Sequence, residues 1–186
     1  MLRTEAEKAM IPQMLHCMQC GEKLQMRYLP SEGREIPYCE SCADFRFPVF
    51  NTAVSMIVTC TSTGRILLIR QYGRQDYILV AGYVNRGEDA EDAVSREVME
   101  EVGLKVTGMH FNHSHFFTPS NTLMLNFTAE VDSEDVHTDD EVDSSAWFTP
   151  EEARAQIRKG SLAQAFLEGA LTGVYAWPER NGAKPL

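Results

Sequence analysis

From Phe47 onward, runs of branched and apolar residues alternate with polar clusters, and the spacing of those runs predicts the elements. Ala53–Thr59 is almost continuously apolar and is followed by the turn cluster Thr61-Ser-Thr-Gly64. Arg65–Arg70 comes next, so the two runs predict an antiparallel hairpin. A third run, Tyr77–Ala81, leads directly into Gly82. The period then changes: Ala90, Val94, Val98 and Val102 recur every four residues and make the apolar stripe of a helix packed on a sheet. Asp89 is placed to cap that helix, with Asp92 in a capping-box position, and Gly103 supplies a left-handed stop. Phe111–Thr118 and Leu123–Val131 predict two further strands. Thr149-Pro-Glu-Glu152 opens another helix, with proline and acids in its first turn. Three strands before the first long helix predict an α+β fold with a mixed sheet, not the alternation of a dinucleotide-binding domain. No G-x-G-x-x-G occurs, so nicotinamide redox chemistry lacks its phosphate cradle.

Polar positions of the long helix carry the candidate chemistry. Glu97 and Glu101 are four apart and stack on one side, with Glu100 beside them. That side is expected about a quarter-turn from the apolar stripe, at the rim of a cleft. Like charges at this spacing weaken a helix by a few tenths of a kcal/mol per pair. A divalent cation such as Mg²⁺ removes the penalty, neutralises a pyrophosphate and lowers the pKa of a water. Arg96 is placed to orient a neighbouring carboxylate through a bidentate pair, and Glu88 precedes the helix. A solvated acidic face would show the same pattern. At the end of the second strand, Arg70 and Arg74 either contact substrate phosphates or solvate a turn.

Before Phe47 the pattern is different. Cys17-Met-Gln-Cys20-Gly21 is followed by Cys39-Glu-Ser-Cys42, and paired C-x-x-C turns aim four thiolates at one tetrahedral Zn²⁺. Such a set leaves no coordination position open, so Cys17, Cys20, Cys39 and Cys42 predict a structural zinc ribbon over residues 15–46, preceded by an arm over 1–14. Lys23, Arg27, Arg34 and Arg46 are offset by Glu22, Glu32, Glu35, Glu40 and Asp44, which favours a scaffold over a nucleic-acid reader. Cys60 sits in an apolar run and is expected in the core.

The formal charge of −10 gives no basic footprint for nucleic acid, and it makes bound cations the simplest route to an anionic substrate. Residues 1–15 have neither the apolar run nor the cleavage site of a signal peptide, and no segment approaches a membrane-spanning length. The cysteines do not form a disulfide framework, so a cytoplasmic protein with no membrane partner is expected.

The stretch Gly82–Leu104 resembles the signature of the Nudix hydrolases, G-x5-E-x7-R-E-U-x-E-E-x-G-U, where U is a bulky apolar residue. Gly82, Glu88, Arg96, Glu97, Val98, Glu100, Glu101, Gly103 and Leu104 meet it without mismatch. The resemblance implies an α/β/α Nudix sandwich over residues 47–173, here preceded by the ribbon and followed by a loose tail over 174–186. It makes Glu97, Glu100 and Glu101 ligands of Mg²⁺ or Mn²⁺, with Glu88 and Arg96 supporting them. The ribbon makes the chain similar to the NADH pyrophosphatase branch. That likeness assigns Tyr83 to stacking on adenine, Glu141 to the metal site, and Ser114 and Ala163 to the substrate, while Phe116 and Phe117 offer rings able to stack on a base or nicotinamide; Arg-Gln-Tyr at Arg70 is similar to a segment of some ADP-ribose pyrophosphatases. Ser114–Thr122 departs from the branch, matching outright only at Ser114 and conservatively at Thr122. His113 and His115 are either substrate contacts or plain strand residues. The implied activity is cleavage of NAD(H) to NMN(H) and AMP by a homodimer, with ADP-ribose or FAD next. Glu100 and Glu141 are candidate general bases. A regulatory nucleotide-binding domain and removal of an NAD cap from RNA are the rival functions.

Overall fold

A computed structural model of the protein describes residues 14–178. The predicted arm therefore lies, except for Met14, outside the described residues. The chain divides into two units, with the boundary between Asn51 and Thr52.

In the first unit β1 (Gln25–Leu29), β2 (Arg34–Cys39) and β3 (Asp44–Phe45) form a small antiparallel sheet. Gly33 turns the first hairpin at φ +64°, a left-handed conformation that glycine adopts without a steric penalty. Beside this sheet the sulfurs of Cys17, Cys20, Cys39 and Cys42 all lie within 4.8 Å of one another.

The second unit continues through β4 (Asn51–Cys60), β5 (Ile66–Gln71), β6 (Val80–Tyr83), α1 (Ala90–Val102), β7 (Val106–Phe117), β8 (Thr122–Val131), β9 (Val142–Phe148), α2 (Pro150–Gln156) and α3 (Leu162–Thr172). Its sheet runs β7-β8-β4-β5-β9, with β6 paired to β4. The β7–β8, β4–β5, β4–β6 and β5–β9 pairs are antiparallel. Along β4 and β8, Ser55 meets Asn126 and Thr61 meets Val131, so both chains rise together and the sheet is mixed.

Strand β5 shows why this is a three-layer sandwich. Leu67 and Ile69 face α1 within a core of Val54, Met56, Val58, Val94, Val98 and Val102. Ile66 and Leu68 face the opposite layer, with Ile57, Ala153, Ile157, Phe166 and Leu167. An apolar residue at every position thus serves two cores, the strand period of two being the only requirement. Cys60 is buried in the first core, as expected. Among the described residues no helix is long and apolar enough to cross a membrane.

Two sequence expectations change. Asp89 stands at the helix N-cap without a side-chain capping bond, so the predicted capping box does not form; Thr149 and Glu152 do form one at α2. The segment after 173, expected as a loose tail, packs inward where it is described. Trp177 is buried in the second core, and Tyr175 fills the space left by the missing side chain of Gly169. His115 stacks on Trp177 with centroids 4.0 Å apart, and His113 lies 4.3 Å from Tyr175. The two histidines face this aromatic segment.

Candidate active site

Helix α1 brings the carboxylates to a cavity of about 500 Å³ lined by Gly82, Tyr83, Arg96, Glu97, Glu100, Glu101, Asp139 and Glu141. Arg96 is the hub. Its Nε and Nη2 donate to the two oxygens of Glu88 at 2.6 and 2.9 Å, the bidentate pair expected. Nη1 donates to Glu97 at 2.8 Å and to Glu100 at 2.9 Å, and Nη2 also reaches the Tyr83 carbonyl at 3.0 Å. Hydrogen bonds from Arg96 and from the Asn85 N–H hold the Glu88 carboxyl down at about 2. One guanidinium thus offsets three carboxylates.

Gly82 lets this cluster pack against the sheet. A Cβ there would fall 1.9 Å from the Glu97 carboxyl carbon, so the acid occupies the volume of an absent side chain.

Glu101 is not at the rim. It is buried, 5 % exposed, along with Val94, Val98 and Val102. The helical rotation explains this: Glu101 lies seven residues after Val94, about 20° from it around the axis, within the apolar stripe. Burial pushes its carboxyl up to about 8, with the nearby charges of Glu97, Asp139 and Glu141 adding to the rise and a hydrogen bond from Gln71 opposing it. Its Oε2 has no hydrogen-bond partner. An orphaned carboxylate oxygen, buried and facing other carboxylates, is a misfit for protein alone and a fit for a divalent cation, which takes oxygen ligands and favours the ionised form.

The other predicted site residues separate into two groups. Tyr83 and Glu141 line the cavity, and the Tyr83 ring is exposed there. Arg70, Ser114, Phe117 and Ala163 are not among its lining residues. Arg70 shares the sheet face of Leu68, and its guanidinium lies 4.0 Å above the Tyr77 ring, in the opposite layer. Ala163 packs on the second core, Ser114 lies mid-strand opposite Leu125, and Phe117 ends β7 before a short 3₁₀ turn.

Residues outside the sequence reading take their place. Gln71, Tyr72, Asn85, Ser120 and Asp139 contact or line the site, and Thr122, read only as a replacement in the branch segment, is 2 % exposed at its wall. Tyr72 Oη donates to Glu141 at 2.8 Å. A register shift between Arg70 and Gln71 accompanies this change of neighbours, and no residue pattern announces it.

In the ribbon, the Arg46 guanidinium donates to Cys17 Sγ at 3.2 Å and, with backbone hydrogen bonds, lowers that thiol to about 6. Hydrogen bonding to Cys20 and burial push Cys42 up to about 12. Four sulfurs this close cannot all ionise without a cation between them. Their donor chemistry fits Zn²⁺.

Residues 49–166 match the NUDIX domain. The chain belongs to that family. It is 33% identical over 136 residues to the NAD-capped RNA hydrolase NudC of Pseudomonas aeruginosa, covering 72% of this chain and 47% of that protein. It is 32% identical over 171 residues to the NudC of Pseudomonas syringae pv. syringae, covering 90% of this chain and 57% of the relative. The chain thus spans about half the length of the relatives it matches. Two NUDIX hydrolase structures from Nitrosomonas europaea share the fold. One gives a TM-score of 0.57 at 18% identity, covering 88% of this chain and 96% of that one; the other gives 0.56 at 22%, covering 74% and 98%.

Proposed function

We propose that this Nudix protein hydrolyses the pyrophosphate bond of a nucleoside diphosphate derivative, with the NAD(H) dinucleotide as its substrate and NMN(H) and AMP as products. The observation that carries this reading is the orphaned Oε2 of Glu101, buried beside a cavity that Glu97, Glu100 and Glu141 line. These four carboxylates would hold Mg²⁺ or Mn²⁺, which when bound neutralises the diphosphate and lowers the pKa of a water.

The chain's own residues divide the remaining work. Glu88 fixes Arg96, and Arg96 fixes Glu97 and Glu100, so the ligands are set before substrate arrives. The exposed Tyr83 ring at the cavity wall offers a face for a base. Glu100, with a side chain 57% exposed, and Glu141, also exposed, are the carboxylates open to water, and either would serve as its general base. The ribbon holds Zn²⁺ as a scaffold.

The NudC relatives are NAD-capped RNA hydrolases, which favours a second reading, in which the same dinucleotide sits at the 5′ end of an RNA. The two readings share chemistry and differ in partner. Incubation with Mg²⁺ or Mn²⁺ and NADH, NAD, ADP-ribose, FAD or NAD-capped RNA, with products resolved by chromatography, tests both. Release of NMN from free NAD(H) at a kcat/KM above that for capped RNA supports the first; the reverse ranking supports the second. No hydrolysis of any member overturns the enzymatic reading in favour of a regulatory nucleotide-binding domain.

A further inference from the structure

The end of β5 reaches the site from the sheet beneath α1. Along this strand, inward and outward residues alternate up to Ile69, and Arg70 then faces the far layer. The register shift at Arg70/Gln71 is followed by Tyr72 with φ +56°, in the left-handed region that residues with a Cβ rarely adopt. Such a conformation persists where its surroundings over-determine it. Three contacts do so here. Gln71, buried on the α1 side, lies beside Glu101 and favours its ionised carboxylate. The Tyr72 hydroxyl donates to Glu141 at 2.8 Å, and the Gly73 N–H donates to Asp143 at 2.7 Å. Asp139 completes the loop by accepting from the Glu141 N–H at 3.0 Å, while its own N–H reaches the Glu101 carbonyl at 3.4 Å.

Glu101 comes from a helix and Glu141 from a loop forty residues away in sequence. At the end of β5, Gln71 lies beside the Glu101 carboxyl and the next residue, Tyr72, donates to the Glu141 carboxylate. We propose that Tyr72 is a positioning residue that, with Gln71, sets the separation of Glu141 from Glu101 and so assembles the loop's share of the divalent-metal site. The inference rests on the metal reading of the cavity. It adds that Glu141 is presented by a phenol and not by its own loop alone. Tyr72 touches neither phosphate nor metal in this role, and its hydroxyl keeps one Glu141 oxygen occupied while the other stays open.

The test is Mn²⁺ binding to the full chain without substrate, followed by electron paramagnetic resonance of the free ion. Tyr72→Phe is expected to weaken Mn²⁺ binding about tenfold, the low end for loss of an orienting partner, and Glu141→Gln, which removes a ligand, at least as much. The double variant is expected to bind no more weakly than Glu141→Gln, because Tyr72 acts on the metal only through Glu141. Tyr72→Asn, which keeps a residue tolerant of the left-handed backbone, is expected to match Tyr72→Phe. Excess Mn²⁺ should restore kcat in Tyr72→Phe, which a general folding lesion would not allow. Wild-type Mn²⁺ affinity in Tyr72→Phe, or additive losses in the double variant, would overturn the proposal while leaving the metal site intact. Wild-type affinity in Glu101→Gln would instead overturn the metal reading, and this inference with it.

Discussion

The ribbon and the cavity are both arranged for cations, yet they solve the charge problem in opposite ways. In the ribbon the ligand atoms are already together, four sulfurs within 4.8 Å, with Arg46 against one of them. In the cavity the carboxylates are held apart: Arg96 occupies Glu88, Glu97 and Glu100, Tyr72 occupies Glu141, and Glu101 is left with a bare oxygen. A closed set of soft ligands makes the cation part of the fold. An open set of hard ligands, each tethered by a neighbour, leaves positions for water and substrate. The teaching is that ligand spacing alone does not separate a structural site from a working one; what the ligands are bonded to in the protein does.

The comparison breaks most easily at the ribbon. Cys17→Ser is expected to abolish stoichiometric zinc by metal analysis and remove hydrogen-exchange protection from the hairpin of β1 and β2, since such sites fold only with their metal. Intact protection without zinc would make the cluster a plain thiol core. Next, Glu101→Gln should cost turnover about 10²- to 10³-fold, the several kcal/mol that a metal contributes to the transition state, with unchanged circular dichroism. Glu88→Gln should cost less, about 10- to 100-fold in activity or Mg²⁺ affinity, because it loosens Arg96 and removes no ligand. Losses in the opposite order would move the key carboxylate from Glu101 to Glu88.

The mildest test is pH. The folded Glu101 carboxyl is raised to about 8 from 4.5, so metal-free protein holds this stability below about pH 4.5 and loses it as pH rises through about 8. Thermal melts across that window should fall in wild type, flatten in Glu101→Gln, and flatten in wild type once Mg²⁺ is present. A flat metal-free profile would mean that Glu101 is not desolvated.

What the residues announced and what they hid follow from their physics. The α+β fold with a mixed sheet was legible because the strand runs and α1 repeat apolar residues, the sandwich followed from the family resemblance, and the box was legible because its glycine, arginine and glutamates sit at fixed spacings along a loop and one helix. Glu101 was misplaced at the rim although its azimuth near Val94 is calculable. Gln71 and Tyr72 were hidden for a different reason: a register shift and a left-handed turn at the strand end carry no residue signal, and Arg70, left open between phosphate contact and turn solvation, faces the far layer. The order of Tyr175 and Trp177 depends on a groove made by Gly169, His113 and His115, which only the tertiary structure assembles.

Gly82 carries a consequence for heredity. Because the Glu97 carboxyl fills the place of its side chain, any residue bearing a Cβ at 82 evicts that acid without altering it. In a genetic screen for lost activity, positions 82 and 97 should therefore behave as a single locus: alanine at the first and glutamine at the second should give the same phenotype, and combining them should add nothing.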